Sequence, residues 1–147
     1  MEKYKVLLVD DEAEVIEVIE QRIQWDDLGF TVVGNATNGV KALELVEKLQ
    51  PDVVITDIKM PYMDGLELSR RLNRDFQNIH IIIFTGFDEF EYAKEAVHLE
   101  VEEYMLKPIN ATELSDCLKR LKDTLDRERE EKLNAERQKI DTFADFG

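Results

Sequence analysis

The sequence predicts an α/β fold, a doubly wound five-stranded parallel sheet with five helices on its two faces. Five apolar, β-branched runs of strand length alternate with five helix-length segments over short connections, the pattern of right-handed crossovers. The runs are apolar throughout rather than alternating with polar residues, as expected of strands buried on both faces. The third observation is one of placement. Acids follow the first run (Asp10, Asp11) and end the third (Asp57), a hydroxyl ends the fourth (Thr85) and an ammonium follows the fifth (Lys107). In an open parallel sheet these positions share one rim, where ligands gather beyond the carboxyl ends of the strands.

Lys5-Val6-Leu7-Leu8-Val9 is the first strand. It runs into Asp10-Asp11-Glu12, consecutive acids that repel one another unless a cation or solvent separates them. Acids also favour the positive end of a helix, so Glu12 is expected to cap the next segment, leaving its neighbours available to a metal. That helix, Ala13 to Gln24, repeats Val15, Ile16, Ile19 and Ile23 on one face, and Trp25-Asp26-Asp27-Leu28-Gly29 ends it with Trp25 as a packing residue. Phe30 to Ala36 is the second strand. Asn38-Gly39 opens a helix whose Val40, Leu43, Val46 and Leu49 keep helical spacing. Pro51-Asp52-Val53-Val54-Ile55-Thr56-Asp57 is the third strand, and Met60-Pro61 and Asp64-Gly65 break the chain after it. An aspartate so placed also suits an ordinary turn or cap, so its role depends on its neighbours.

Gly65 leads into a third helix with Leu66, Leu68 and Leu72 inside and Arg70, Arg71 and Arg74 on a solvated face. Asn78 to Phe84 is the fourth strand and ends in Thr85-Gly86. A fourth helix from about Asp88 to Leu99 carries Phe90, Ala93, Ala96 and Val97. Glu103-Tyr104-Met105-Leu106 is the fifth strand, followed by Lys107-Pro108. The fifth helix opens with Asn110 as N-cap and Glu113 at the third position, then repeats Leu114, Leu118, Leu121 and Leu125. Its patterning extends to about Lys139. Residues 122–140 hold six basic and six acidic side chains, with Leu133 and Ile140 the only large aliphatics besides Leu125, so a solvent-exposed stalk is expected rather than a coiled coil.

The 147 residues suit one domain with an appendage, and 44% hydrophobic residues suffice for one sizeable core. The apolar runs fall far short of the roughly 20 residues of a membrane span, and no secretory signal is visible. With a single cysteine, Cys117, expected as a small buried hydrophobe, the cytoplasm is the natural compartment. A net charge of −14 argues against direct binding of nucleic acid, which relies on basic side chains at phosphates. His80 and His98 lack metal-ligand spacing and are expected to be structural or surface residues.

Hard oxygen ligands beside an ammonium and a hydroxyl suit Mg²⁺ and a phosphoryl group, with Asp57 as nucleophile, since phosphoryl transfer demands mainly positioning and electrostatics. Val9-Asp10-Asp11-Glu12, Asp57 with Met60-Pro61 and Asp64-Gly65, Thr85-Gly86, and Tyr104-x-x-Lys107-Pro108, in that order, resemble the receiver domain of a bacterial two-component response regulator. The resemblance covers residues 4 to about 125. It implies a flavodoxin-like sheet of order 2-1-3-4-5. It also implies phosphorylation of Asp57 by a sensor histidine kinase, with Mg²⁺ held by Asp11, Asp57 and the Lys59 carbonyl and by Asp10 through water. Lys107 would contact the phosphoryl group ahead of a cis Pro108 bond, Thr85 and Tyr104 would form a switch, and the face of helix four, strand five and helix five would pair in a homodimer.

Asp88-Glu89-Phe90-Glu91-Tyr92-Ala93-Lys94-Glu95-Ala96 and Trp25-Asp26-Asp27-Leu28-Gly29-Phe30 narrow the resemblance to receivers joined to an AraC-type DNA-binding domain. Residues 1–125 are then expected to be the receiver and 126–147 a charged linker, either of a truncated chain whose transcriptional output lies elsewhere, the favoured reading, or of a free-standing regulator. Glu100 stands where relatives often carry glycine, so a strained or longer turn is expected there. A Mg²⁺-dependent phosphatase working through an aspartyl phosphate would need a second acid near Asp57 and a substrate cap. Lys59 occupies the position two residues on, and there is no cap insertion, so a signalling phosphoacceptor is expected rather than an enzyme.

Overall fold

The computed structural model describes residues 2–94 and 99–146. Five strands, β1 (Tyr4–Val9), β2 (Phe30–Ala36), β3 (Val53–Asp57), β4 (His80–Thr85) and β5 (Glu103–Leu106), form one sheet of order β2-β1-β3-β4-β5. Every pairing is parallel. The five expected helices are present as α1 (Ala13–Arg22), α3 (Gly39–Leu49), α4 (Gly65–Asp75), α5 (Phe90–Lys94) and α6 (Ala111–Phe146). A single-turn helix, α2 (Trp25–Leu28), stands where Trp25 to Gly29 was expected only to end the first helix. Ile23 is extended at the end of α1, and Gly29, at φ +88°, ends α2 in a left-handed conformation that glycine adopts without a Cβ clash.

Alternate residues of each strand feed two cores. On one face Val6, Leu8, Ile55 and Ile82 pack with Ile16 and Ile19 of α1 and with Leu114, Leu118, Leu121 and Leu125 of α6. Cys117 and Trp25 belong to this core as packing residues. On the other face Leu7, Val9, Val54, Ile81 and Ile83 pack with Ala42 and Val46 of α3, Leu66, Leu68 and Leu72 of α4, and Ala93 of α5. All of β3 is buried, as its unbroken apolar run requires.

Several local expectations change. In α3 the buried stripe is Gly39, Ala42 and Val46, small enough to bring the helix close to the sheet, and Val40 faces solvent. Glu12 occupies the N-cap position of α1 but its side chain makes no cap bond. The Asp10 carboxylate closes that turn, accepting the Glu12 N–H at 2.9 Å. Glu100 brings no backbone strain: its φ is not positive, and the Asn73 amide brackets the turn, accepting the Glu100 N–H at 2.7 Å and donating to its carbonyl at 3.1 Å. Among described non-glycine residues, positive φ occurs at Gln50 and Tyr62. The predicted continuation of the fourth helix through Glu95, Ala96, Val97 and His98 lies outside the described residues. Helix α6 is continuous to Phe146, and its side chains from 130 to 140 are exposed, including Leu133 and Ile140, as a stalk requires.

Gly65 positions the site directly. Its N–H donates to the Ile58 carbonyl at 2.7 Å, bringing the start of α4 against the end of β3. A Cβ added there would lie 2.0 Å from the Asp57 carbonyl oxygen. Replacing Gly65 with alanine must push α4 away from β3, and urea denaturation is expected to show a loss of about 3 kcal/mol or failure to fold.

Candidate functional site

The sheet order reverses beside β1, so the ends of β1 and β3 flank a crevice to which neither neighbouring crossover returns. Asp10 and Asp11 lie just past β1, and Asp57 is the last residue of β3. Asp10 and Asp57 are buried, whereas Asp11 is exposed. Carboxylate oxygens from these three residues lie within 4.8 Å of one another. Lys107 reaches in from beyond β5, its Nζ 3.2 Å from Asp57 Oδ1 and 3.4 Å from Asp10 Oδ2. The following Lys107–Pro108 bond is cis. Asp57 Oδ1 also accepts the Ile58 N–H at 2.8 Å, fixing the carboxylate's orientation.

Three acids face one ammonium, and burial dominates the titration of Asp57 and Asp10. Burial, and then the charge of Asp10, push the Asp57 carboxyl up to about 6, despite the opposing pull of Lys107 and the Ile58 N–H. Burial raises Asp10 as well, against its bonds to Glu12 N–H and Lys107. Burial disfavours the Lys107 ammonium, but the two carboxylates outweigh it and its pKa rises. Clustered carboxylates partly stripped of water and short of positive charge fit a hard divalent cation.

The other predicted residues surround this centre without joining it. Thr85 is buried at the end of β4, its hydroxyl donating to the Gly86 carbonyl at 2.7 Å. Tyr104 is half-buried on β5, packed against the core that contains α4 and α5, and its burial raises the phenol pKa. The Lys59 side chain is exposed and its ammonium lies 3.8 Å from Glu89. Glu89, to which the sequence alone assigns no part in the site, links two loops of the rim: its other carboxylate oxygen accepts the Gly86 N–H at 3.1 Å. The visible signal was a glutamate three residues after Gly86, the spacing of a reciprocal turn cap.

Residues 6–119 match the family described as the response regulator receiver domain. The chain belongs to that family. This receiver domain is 42% identical over 118 residues to the uncharacterized transcriptional regulatory protein YesN of Bacillus subtilis, covering 80% of this chain and 32% of that protein. It is 38% identical over 122 residues to the transcriptional regulatory protein HptR of Staphylococcus aureus, covering 83% of this chain and 48% of the relative. The chain therefore spans about a third to about a half of these relatives' length. Among solved structures it is similar to the REC domain of AraT, a response regulator of Geobacillus stearothermophilus, with TM-score 0.82, 40% identity and coverage of 86% and 98%. It is also similar to a two component transcriptional regulator AraC of Clostridium phytofermentans, with TM-score 0.80, 31% identity and the same coverage. The family and the fold are thus those the motifs implied, a signalling domain rather than a substrate-processing enzyme.

Because the folded-state Asp57 pKa lies near 6 and the ordinary value is 3.8, the neutral carboxyl adds stability below about pH 4 that is lost as pH rises through about 6. In metal-free buffer at pH 7.5, Asp57→Asn is expected to stabilise the receiver domain by on the order of 2 kcal/mol, with the gain shrinking toward zero at pH 4. Urea melts at the two pH values measure it.

Proposed function

We propose that this chain is the phosphorylatable switch of a two-component response regulator, accepting a phosphoryl group on Asp57 from a sensor histidine kinase. The observation that carries the reading is the oriented, buried Asp57 carboxylate at the sheet's switch point, with Asp10, Asp11 and Lys107 gathered round it. An Asp57 oxygen attacks the phosphorus of a phosphohistidine, the P–O bond forms as the P–N bond breaks, and the imidazole leaves with the bonding electron pair. Ile58 N–H and Lys107 hold the attacking carboxylate in place. Asp11, Asp57 and the Lys59 carbonyl would hold Mg²⁺, with Asp10 acting through water. When bound, that ion offsets charge on the acids and on the phosphoryl oxygens.

Phosphorylation adds negative charge and strong acceptors at one point of the rim. Thr85 leaves its bond to the Gly86 carbonyl for a phosphoryl oxygen, and Tyr104 turns into the space behind it. The surface of α5, β5 and α6 then repacks against a second copy. Leu106, 43% exposed, and the Arg120–Glu103 ion pair at 3.1 Å lie on its β5 and α6 portion. The transcriptional relatives support reading 1–125 as the receiver and 126–147 as a linker to an AraC-type DNA-binding domain, in a cytoplasmic protein. Among described residues no helix is long and apolar enough to cross a membrane, and the net charge of −14 argues against nucleic-acid contact by these residues.

Incubation with acetyl phosphate and Mg²⁺ is expected to add one phosphate, stable in acid and labile to base or hydroxylamine, seen by intact mass. Chelation or Asp57→Asn should abolish the addition, and light scattering should report a dimer of the phosphorylated chain. An unchanged mass would defeat the reading, whereas steady turnover of a phosphate ester would favour an aspartyl-phosphate phosphatase.

A further inference from the structure

The edge of the sheet opposite Asp57 carries a second charge cluster. His80, the first residue of β4, has Nδ1 hydrogen-bonded to Glu102, just before β5, and Nε2 3.0 Å from Glu128 Oε2 on α6. An ionised carboxylate only accepts hydrogen bonds, so two ionised partners at the two ring nitrogens suit a ring with a proton on each nitrogen, an imidazolium. A neutral tautomer would turn a lone pair toward one of the two acids. The backbone that carries the two side chains is fixed, because His80 N–H donates to the Asp52 carbonyl at 2.9 Å and Glu102 N–H to the Ile81 carbonyl at 2.7 Å.

Glu128 lies just past Leu125, the last of the buried leucines that seat α6 on the sheet. Beside it, Tyr4 Oη donates to Asp126 at 2.5 Å, and the Arg129 guanidinium lies 4.3 Å from the centre of the Tyr4 ring. From residue 130 to 140 every side chain is exposed. The polar contacts at 126, 128 and 129 tie the helix to the sheet just before this exposed stretch.

We propose that His80, as an imidazolium between Glu102 and Glu128, clamps the departing helix α6 to the sheet, and that loss of its proton releases the segment beyond Asp126. The remaining charged groups lining this groove are Glu47, Asp52 and Glu100 against Arg129 and Lys132. Asp52 is engaged, accepting the Lys5 N–H at 2.8 Å, and Arg129 covers Tyr4. Burial disfavours the charged ring, but hydrogen bonds to Glu128 and Glu102 more than offset it, so the His80 pKa is raised. The clamp is intact below that raised value and lost as pH climbs through it. Of the two acids Glu128 is the freer, its side chain 48% exposed against 34% for Glu102, so the helix leaves rather than β5. The segment set free is the connection through which a receiver would steer an attached domain.

The test uses NMR on the full chain without phosphodonor, so it stands whether or not Asp57 accepts phosphate. Long-range ¹H–¹⁵N imidazole spectra, with His98→Gln for assignment, read the protonation of His80. Amide exchange, corrected for its intrinsic pH dependence, reads residues 126–135. Expected are an imidazolium at pH 6 and a His80 pKa above that of an unstructured histidine. Glu128→Gln should lower that pKa and speed exchange in 126–135 about tenfold at pH 6, leaving residues 114–121 unchanged. Wild type should reach the same state above the His80 pKa, and His80→Gln at every pH. A neutral ring at pH 6, or exchange in 126–135 indifferent to both pH and Glu128→Gln, overturns the proposal. Should His80→Gln not fold, Glu128→Gln and the wild-type titration decide it.

Discussion

Two carboxylates buried at the ends of adjacent strands, with a third acid beside them and one ammonium between them, are the constraint on which the rest of this structure depends. Isolated buried charges are costly, and they persist only where something pairs with them. Lys107 supplies one positive charge to Asp57 and Asp10 together, and burial raises the pKa of both acids in spite of it. The resting receiver is thus charge-frustrated at one point. A cation would relieve the frustration and, on the function proposed above, a phosphoryl group would change it, so that local chemistry would bias the packing of the whole domain.

The fold makes that frustration tolerable. Both faces of the sheet are covered by apolar cores, so stability resides away from the rim. At the rim the backbone supplies fixed partners: Ile58 N–H for Asp57, and Glu12 N–H for Asp10. Gly65 lets the start of α4 touch the end of β3, beside Asp57. Among the described non-glycine residues, positive φ falls away from Asp57 itself, at Tyr62 in the following loop and at Gln50 before β3.

The fold was legible in the sequence because its strands are uninterrupted apolar runs, and the rim because each run ends in a chemically distinct residue. Asp57, Asp10, Asp11 and Lys107 required only strand context to be brought together. What could not be read depends on contacts between distant segments. Periodicity admits Val40 to the inner face of α3, but the close approach of Gly39 and Ala42 to their neighbours turns it outward. The cap of α1 seemed to belong to Glu12 because of its position, whereas Asp10 takes the bond through a turn two residues back. Histidine 80 read as an ordinary surface or structural residue, since both its acids lie more than twenty residues away. Glu89 was obscured by the run of acids around it.

The two ends of the sheet divide the work. The carboxyl ends carry the acids and the chemistry, and the amino ends carry His80, Tyr4 and the polar anchors of the departing helix. Strand β4 runs between them, from His80 to Thr85. The central claim concerns the first of these ends, and the most direct measurement locates the phosphoryl group itself. Borohydride reduction of the phosphorylated chain converts an aspartyl phosphate to homoserine, and peptide mass spectrometry reads the position. Homoserine at position 57 alone is the result this account predicts. Homoserine at 10, 11 or 64, or none after the phosphate is shown to be attached, would contradict it.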